Sequence, residues 1–226
     1  MLPCGHPRRS LADFDEGASG IRLESNWVHS AYNAHFMQHY GVNNTVENNI
    51  FAKSIGGCVT YPTTPGPNPN TTFNCVGYLW DPAYRGQDCA YRFARNIVAM
   101  SGSQGHVHAG AEGRCNRTFE LNLYHNASGP VTATFPGDLV ECFPGLPCGL
   151  NFQAVNASFA EWQKQGNRLT SRRKGEDTRS IIADPQFVSA DPAGENDFRV
   201  AADSPAVKEL GFVPFDLRGM VGPNWR

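Results

Sequence analysis

The sequence predicts an all-β fold, a parallel β-solenoid with about 23 residues per coil. An asparagine stands directly before a short apolar run at four places, at Asn26, Asn49, Asn96 and Asn122. The first two of these asparagines are 23 residues apart, and the third follows about two such periods later. The apolar runs have no helical period and are too short to bury themselves. Stacking of short strands from successive coils would bury them.

The four asparagines are expected to form a structural ladder in this fold. Strands in neighbouring coils lie about 4.8 Å apart. An asparagine at the same bend of each coil can then donate its amide hydrogens to the next asparagine and to backbone groups that the bend leaves unpaired. We therefore interpret Asn26, Asn49, Asn96 and Asn122 as structural residues.

The composition argues against several classes of partner. The chain has 226 residues, of which 18% are charged, and a formal net charge of -2. This charge gives no electrostatic reason to expect nucleic acid or an anionic membrane as a partner. No apolar run approaches the roughly 20 residues that a membrane helix needs. We expect neither partner, and a monomer when the protein is full length.

Five N-glycosylation sequons favour an extracellular or secretory protein. They begin at Asn43, Asn70, Asn116, Asn126 and Asn156, whereas random placement of the same residues would give about two. The N-terminal residues MLPCGHPRRS lack the apolar stretch of a signal peptide. The chain is therefore expected to be incomplete, with the missing part before Met1.

The seven cysteines agree with an oxidising compartment. Cys142 and Cys148 bracket the short loop FPGLP and are predicted to form a disulfide. The odd count leaves one thiol over, which we assign to Cys4. A zinc site is the less favoured alternative, because the sequence has no CxxC pair.

Three segments carry a resemblance to a known family. They are DEGASGIRLESNWVHS (15–30), HYGVNNTVENNIFAKS (39–54) and the run from SIIADPQFV to GF (180–212). On these segments the chain resembles the right-handed parallel β-helix proteins of the pectate-lyase-like superfold. It is closest to the group that includes glycoside hydrolases acting on fucosides and xylan. The resemblance implies a right-handed parallel β-helix, but the superfold holds lyases, hydrolases, esterases and non-catalytic binders.

The resemblance also implies a domain organisation. One domain is expected over 1–226, as the C-terminal part of a longer β-helix. Segments 55–90 and 135–155 are interpreted as inserts because they are too long or too rich in turn residues for one coil. Residues 157–226 are expected to form the last coil and a short cap of helix and loop.

Two short helices are predicted within this C-terminal region. One lies in SFAEWQKQG (158–166). The other lies in DSPAVKELG (203–211), with Ser204 as N-cap, Pro205 at the first position and Gly211 past the end. Between them, 168–179 is interpreted as a charged, exposed connector.

The acid cluster in LADFDEGASG provides the candidate catalytic residues. In a strand, Asp13 and Asp15 share a face with their Cα atoms about 6.6 Å apart, and Glu16 follows at the turn. Glycosidic cleavage needs one carboxylic acid to protonate the leaving oxygen and a second carboxylate as nucleophile or base. Two alternatives stay open: the acids accept hydrogen bonds from the backbone of a turn, or they bind Ca²⁺.

Histidines extend this candidate site. His39 lies one period after the acid cluster, above Asp15 or Glu16 depending on register, and is assigned to the catalytic group. The candidates for substrate binding are His35, Tyr40, His106 and His108. Spacing excludes a metal shared by His35 and His39, since positions four apart in a strand lie about 13 Å from each other.

The sequence favours a carbohydrate-active protein that hydrolyses glycosidic bonds of a polysaccharide by carboxylate acid/base chemistry. No cofactor is expected, apart from the Ca²⁺ that the acids would also fit. One alternative is a polysaccharide lyase, with Arg22 or Lys53 as the base for β-elimination. The other is a non-catalytic carbohydrate-binding or surface solenoid.

Overall fold

The fold is described from a computed structural model of the chain. The structure describes residues 12–14, 17–29, 35–38, 41–52, 58–59, 72–78, 89–100, 105–108, 115–127, 129–136, 140–141, 149–150, 154–165, 177–189 and 197–217. Some strand residues within these ranges are described by their backbone alone.

The described residues form short strands and two short helices. The strands are β1 (Ala12–Phe14), β2 (Arg22–Glu24), β3 (Trp27–His29), β4 (Phe36–Gln38), β5 (Gly41–Glu47), β6 (Ile50–Ala52), β7 (Cys58–Val59), β8 (Thr72–Tyr78), β9 (Cys89–Ala94), β10 (Ile97–Met100), β11 (Gly105–His108), β12 (Cys115–Glu120), β13 (Leu123–Asn126), β14 (Val131–Pro136), β15 (Val140–Glu141), β16 (Gly149–Leu150), β17 (Ala154–Ser158) and β18 (Ile181–Ile182). The helices are α1 (Phe159–Gln165) and α2 (Pro205–Leu210).

The strands assemble into three main sheets. Sheet A has seven strands in the order β1-β4-β8-β11-β14-β17, with β7 beside β8. Sheet B has four strands in the order β12-β9-β5-β2, and sheet C has five in the order β18-β13-β10-β6-β3. The described pairs in sheets B and C are all parallel, whereas β7 and β17 pair antiparallel in sheet A. Strands β15 and β16 form a separate antiparallel pair.

The main core lies between the three sheets. Each sheet contributes a buried phenylalanine to it: Phe36 from sheet A, Phe93 from sheet B and Phe51 from sheet C. The three rings contact one another, with centroids 5.7 to 6.4 Å apart. Since strand side chains alternate between faces, the residues on either side of Phe51, Ile50 and Ala52, turn away from this core.

A second core covers the opposite face of sheet C. The apolar residues directly after three of the asparagines, Ile50, Ile97 and Leu123, align in one row across the sheet. Segment 197–217 packs against this row through Phe198, Leu210 and Phe212. Sheet C is therefore buried on both faces, which explains why Ile50-Phe51-Ala52 is a continuous apolar run without polar alternation.

A side-chain clasp fixes the C-terminal segment beside sheet C. The Asn48 side chain donates to the Val213 carbonyl at 2.9 Å and accepts from the Val213 amide at 2.7 Å. It bonds this backbone as a neighbouring strand would. The two contacts tie residues 165 positions apart in the chain.

Both predicted helices are confirmed. Helix α1 falls inside 158–166. Before α2, Ser204 accepts a hydrogen bond from the Ala206 amide at 3.2 Å, Pro205 opens the helix, and Gly211 ends it in the left-handed conformation. Among the described residues, no helix has the length and apolar character needed to cross a membrane.

The prediction of a right-handed parallel β-helix with about 23 residues per coil is wrong as stated. The structure has separate parallel sheets of four and five strands, each built from contiguous strand pairs, and few helices. The asparagines that bond one another are 23, 47 and 26 residues apart, so there is no constant coil length. The physical reason is that turn and strand signals determine where strands begin but not which strands pair. The chain is best described by its sheets.

Part of the predicted insert 55–90 contributes to the fold. Strand β8 lies in the middle of sheet A, between β4 and β11, and β7 pairs with it. Residues 60–71 of this segment lie outside the described residues. The predicted insert 135–155 contains the pair β15 and β16.

Gly41→Ala is expected to destabilise the protein by roughly 3 kcal/mol. Gly41 has a φ of +82°, and an added Cβ would overlap the carbonyl oxygen of Ala18. The matched control is Gly20→Ala, where φ is +72° but no atom lies within 4 Å of the added carbon. The control should lose only the roughly 1–2 kcal/mol of a left-handed alanine. Urea unfolding of both variants measures the difference, and equal losses would contradict the close approach.

Candidate functional site

The candidate catalytic residue Asp13 lies in sheet A. Its strand, β1, runs parallel to β4, and Asp13 pairs in register with Met37. The next pair is Phe14 with Gln38, an offset of 24 residues along the chain. The structure describes only the backbone of Asp13.

The other members of the predicted catalytic group lie outside the described residues. In the sequence, Asp15 and Glu16 come directly after β1, and His39 and Tyr40 come directly after β4. The described strands before them are parallel neighbours in sheet A.

His106 and His108 belong to the same sheet. Both lie in β11, where His106 pairs with Cys75 and Thr132, and His108 pairs with Thr134. Met37, the partner of Asp13, also pairs with Gly77 in β8. Strand β8 lies next to β11 in the sheet. Three strand spacings of about 4.8 Å place β11 roughly 14 Å from β1. Sheet A thus contains Asp13, His106 and His108, and the two strands that carry them are not neighbours in the sheet.

His35 has a different environment from the one expected for a substrate ligand. Only 3% of its surface is exposed. Its Nε2 lies 2.8 Å from the carbonyl oxygen of Ala52, and its ring faces Phe51. Burial lowers the pKa of His35 to about 4, so the ring is neutral at neutral pH. This placement joins sheets A and C through their interior.

The asparagine column runs along one side of sheet C. The backbone amide and the side-chain amide of Asn26 both donate to the Oδ1 atom of Asn49, at 3.0 Å. In the same way Asn49 donates to Asn96, and Asn96 to Asn122, over 3.0 to 3.3 Å. Each donor amide thus has its acceptor on the asparagine that precedes the neighbouring strand of sheet C.

A left-handed residue precedes each asparagine of the column. These residues are Ser25, Arg95 and Leu121, together with Asn48, with φ between 51° and 58°. Such a conformation is unfavourable for residues with a side chain, by roughly 1–2 kcal/mol each. The hydrogen bonds of the column offset this strain, because they satisfy the backbone at the bend.

Sequence reasoning missed the group that closes the column. Asn122 donates from its backbone to Ser180 at 2.8 Å and from its side chain to Asp177 at 3.2 Å. Tyr124 donates to the same carboxylate at 2.7 Å. The interpretation of 168–179 as an exposed connector is wrong at Asp177, which is 1% exposed. It lies in a charged stretch of the sequence, between Glu176 and Arg179, so no local pattern distinguishes it.

Burial dominates the electrostatics of this closing group. It raises the pKa of Asp177 to about 6, although hydrogen bonds from Ser180, Tyr124, Asn122 and Trp162 act in the opposite direction. Burial also raises the pKa of the Tyr124 hydroxyl well above its ordinary value. Tyr124 is therefore a neutral donor at neutral pH.

A second buried asparagine was also missed. Asn44 accepts from the Ile21 amide at 2.9 Å and donates to Ala18 at 2.7 Å and to Gln38 at 3.1 Å. The sequence shows it only as the middle residue of the sequon that begins at Asn43. As in the column, the residue before it has a left-handed conformation.

The surface of sheet B carries a row of ion pairs. Glu47 contacts Arg92 at 3.0 Å and Arg95 at 2.7 Å. Burial acts to raise the pKa of Glu47, but the bonds and charges of the two arginines outweigh it and hold the pKa below its ordinary value. At the edge of the row, Arg22 contacts Glu24 at 2.6 Å, and this bond raises the pKa of the arginine.

The predicted modification sites have varied positions. Asn43 is exposed in β5, whereas Asn126 is half-buried and donates to the Pro130 carbonyl at 3.1 Å. Asn116 lies in β12 and Asn156 in β17. The positions outside the described residues are Asn70, Cys142, Cys148 and Cys4.

Within the described ranges, no group of three or more His, Cys, Asp or Glu residues is arranged to hold a metal ion. Searches against protein-family models, curated proteins and solved structures found no match for this chain.

Asn96→Ala is expected to lower the free energy of unfolding by roughly 3 kcal/mol. The substitution removes the acceptor of the Asn49 amides and the donor to the Val46 carbonyl, all of them buried. Asn126→Ala, at a half-buried site outside the column, is the matched control and should lose about 1 kcal/mol. Chemical unfolding compares the two, and a loss below 1 kcal/mol for Asn96→Ala would contradict the role of the column.

The stability of the protein is expected to increase by about 1.4 kcal/mol through Asp177 as the pH falls from 7.5 to 5. The folded pKa of about 6 lies above the ordinary 3.8, so folding favours the protonated acid, and this contribution is lost as the pH rises through 6. The measurement is urea unfolding across this range for the wild type and Asp177→Asn, which should lack this part of the pH dependence. Asp184→Asn, which removes an exposed carboxylate, is measured beside it as the control for the loss of an acid at the surface. Identical profiles for Asp177→Asn and the wild type would contradict the assignment.

Proposed function

We propose that this chain is a carbohydrate-active protein that hydrolyses glycosidic bonds of a polysaccharide by carboxylate acid/base chemistry. The observation that supports this most is the pairing of β1 with β4 in sheet A. Asp13 lies in the first of these strands, and the remaining candidate acids follow it directly in the sequence.

The register of the two strands bears on the partner of the acids. The offset of 24 residues that joins Phe14 to Gln38 would, continued by one residue, match Asp15 with His39. Of the two offsets that the sequence left open, 24 is the one on which the prediction pairs His39 with Asp15, and 23 the one on which it pairs His39 with Glu16. The histidine would then influence the pKa of the neighbouring carboxyl group.

The proposed chemistry assigns complementary roles to the acids. One of Asp13, Asp15 and Glu16 protonates the glycosidic oxygen as the bond to the anomeric carbon breaks. A second, ionised, attacks that carbon or activates the water that does. His106 and His108, in β11 of the same sheet, would bind sugar hydroxyls further along the substrate.

The alternative of a polysaccharide lyase receives less support from the described residues. A lyase base must lose its proton to act. Arg22 lies in sheet B, not in sheet A, and its contact with Glu24 holds the proton more strongly. Lys53, the other candidate base, lies outside the described residues.

The test is a panel of plant and algal polysaccharides treated with the full chain. Hydrolysis releases reducing ends without unsaturated product, whereas a lyase also produces absorbance from unsaturated uronates. We expect reducing ends alone. Of the variants Asp13→Asn, Asp15→Asn and Glu16→Gln, the two that remove the acid and the nucleophile or base should lower the rate of hydrolysis by at least roughly 100-fold. Asp203→Asn, at an exposed aspartate before α2, is the control and should keep full activity.

Four other results would overturn parts of the proposal. Unsaturated product would assign the lyase reaction. Glycan binding without turnover would assign a binding module. Full activity of all three acid variants would reject the site, and binding of Ca²⁺ that these variants abolish would assign the acids to a metal instead.

A further inference from the structure

Two cysteines occupy the same register position on neighbouring strands of sheet B. Cys89 begins β9 and Cys115 begins β12, and these strands pair in parallel from this position through Ala94 and Glu120 without a register shift. Paired residues of neighbouring strands lie about 4.8 Å apart. This value lies within the roughly 4.4–6.8 Å between Cα atoms that a disulfide spans.

Both positions fall on the same face of the sheet. Counting in steps of two, position 89 shares the face of Tyr91 and Phe93, and position 115 shares the face of Phe119. These three aromatic residues are buried. Phe93 and Phe119 are register partners and their rings lie 5.5 Å apart, so the core holds β9 and β12 together on this face.

The described register offers Cys89 no other cysteine. On its other side, β9 pairs with β5, where the partner of Cys89 is Gly41. Elsewhere in the described sheets, Cys75 pairs with His106 in β11, and Cys58 pairs with Phe73 in β8. Cys115 is therefore the cysteine that the fold brings beside Cys89.

We propose that Cys89 and Cys115 form a disulfide that links β9 to β12. The two thiols lose two protons and two electrons as the sulfur–sulfur bond forms. A second disulfide, that of oxidised glutathione or of a thiol–disulfide oxidoreductase, accepts the electrons and leaves as two thiols. The bond encloses the bend that carries Asn96, and so constrains one step of the asparagine column in the unfolded chain as well.

The direct test is peptide mapping of the folded full chain after equilibration with reduced and oxidised glutathione. Free thiols are alkylated first, the protein is digested without reduction, and the fragments are measured by mass spectrometry. We expect a cross-linked fragment that contains Cys89 and Cys115 and that separates on reduction. Recovery of both residues as alkylated thiols, or a link from either one to another cysteine, would overturn the proposal.

Thermal unfolding provides a second measurement. Closing a loop of roughly 25 residues predicts that Cys89→Ser, Cys115→Ser or the double variant lowers Tm by roughly 10 °C under oxidising conditions. All three variants should show the same fall, because each removes the same bond, and Cys4→Ser should leave both Tm and the cross-linked fragment unchanged. Losses that add up in the double variant would show two independent thiols and contradict the bond.

Discussion

The hydrogen-bonded column of Asn26, Asn49, Asn96 and Asn122 is the interaction on which the rest of the structure depends. Each asparagine follows a residue in a left-handed conformation, so each bend is strained before the column forms. The amides of each asparagine donate to the side chain of the next one, and these bonds fix where the following strand of sheet C begins. The aligned row of Ile50, Ile97 and Leu123 is the consequence.

That row in turn decides how the C-terminal segment packs. Because the apolar residues after the asparagines form one continuous surface, residues 197–217 can cover it with Phe198, Leu210 and Phe212. The Asn48 clasp on Val213 sits beside this surface, one residue before the column. Local bends, sheet order and the distant C-terminal segment are therefore coupled, and we expect them to unfold together.

At the end of the column, a buried carboxylate is stabilised by neutral hydrogen-bond donors and has no cation among the groups that bond it. Asn122 needs acceptors that the column itself does not supply, and Asp177 with Ser180 provides them. The carboxylate is held by neutral donors, and burial raises its pKa. On sheet B the solution is different, since Glu47 is partly exposed and is held by two arginines. The depth of each acid determines which solution serves.

The sequence by itself determined the local features of this protein. The bends before the four asparagines, the apolar strands after them and the capped helix α2 follow from neighbouring residues, whose side chains and backbone preferences act over a few positions. Tertiary structure decided the rest. The unequal spacings of 23, 47 and 26 residues gave no constant repeat, so strand pairing depended on contacts between distant segments. The same holds for Asp177, for His35 inside the core and for the meeting of Cys89 with Cys115, because burial and register are properties of the assembled sheets.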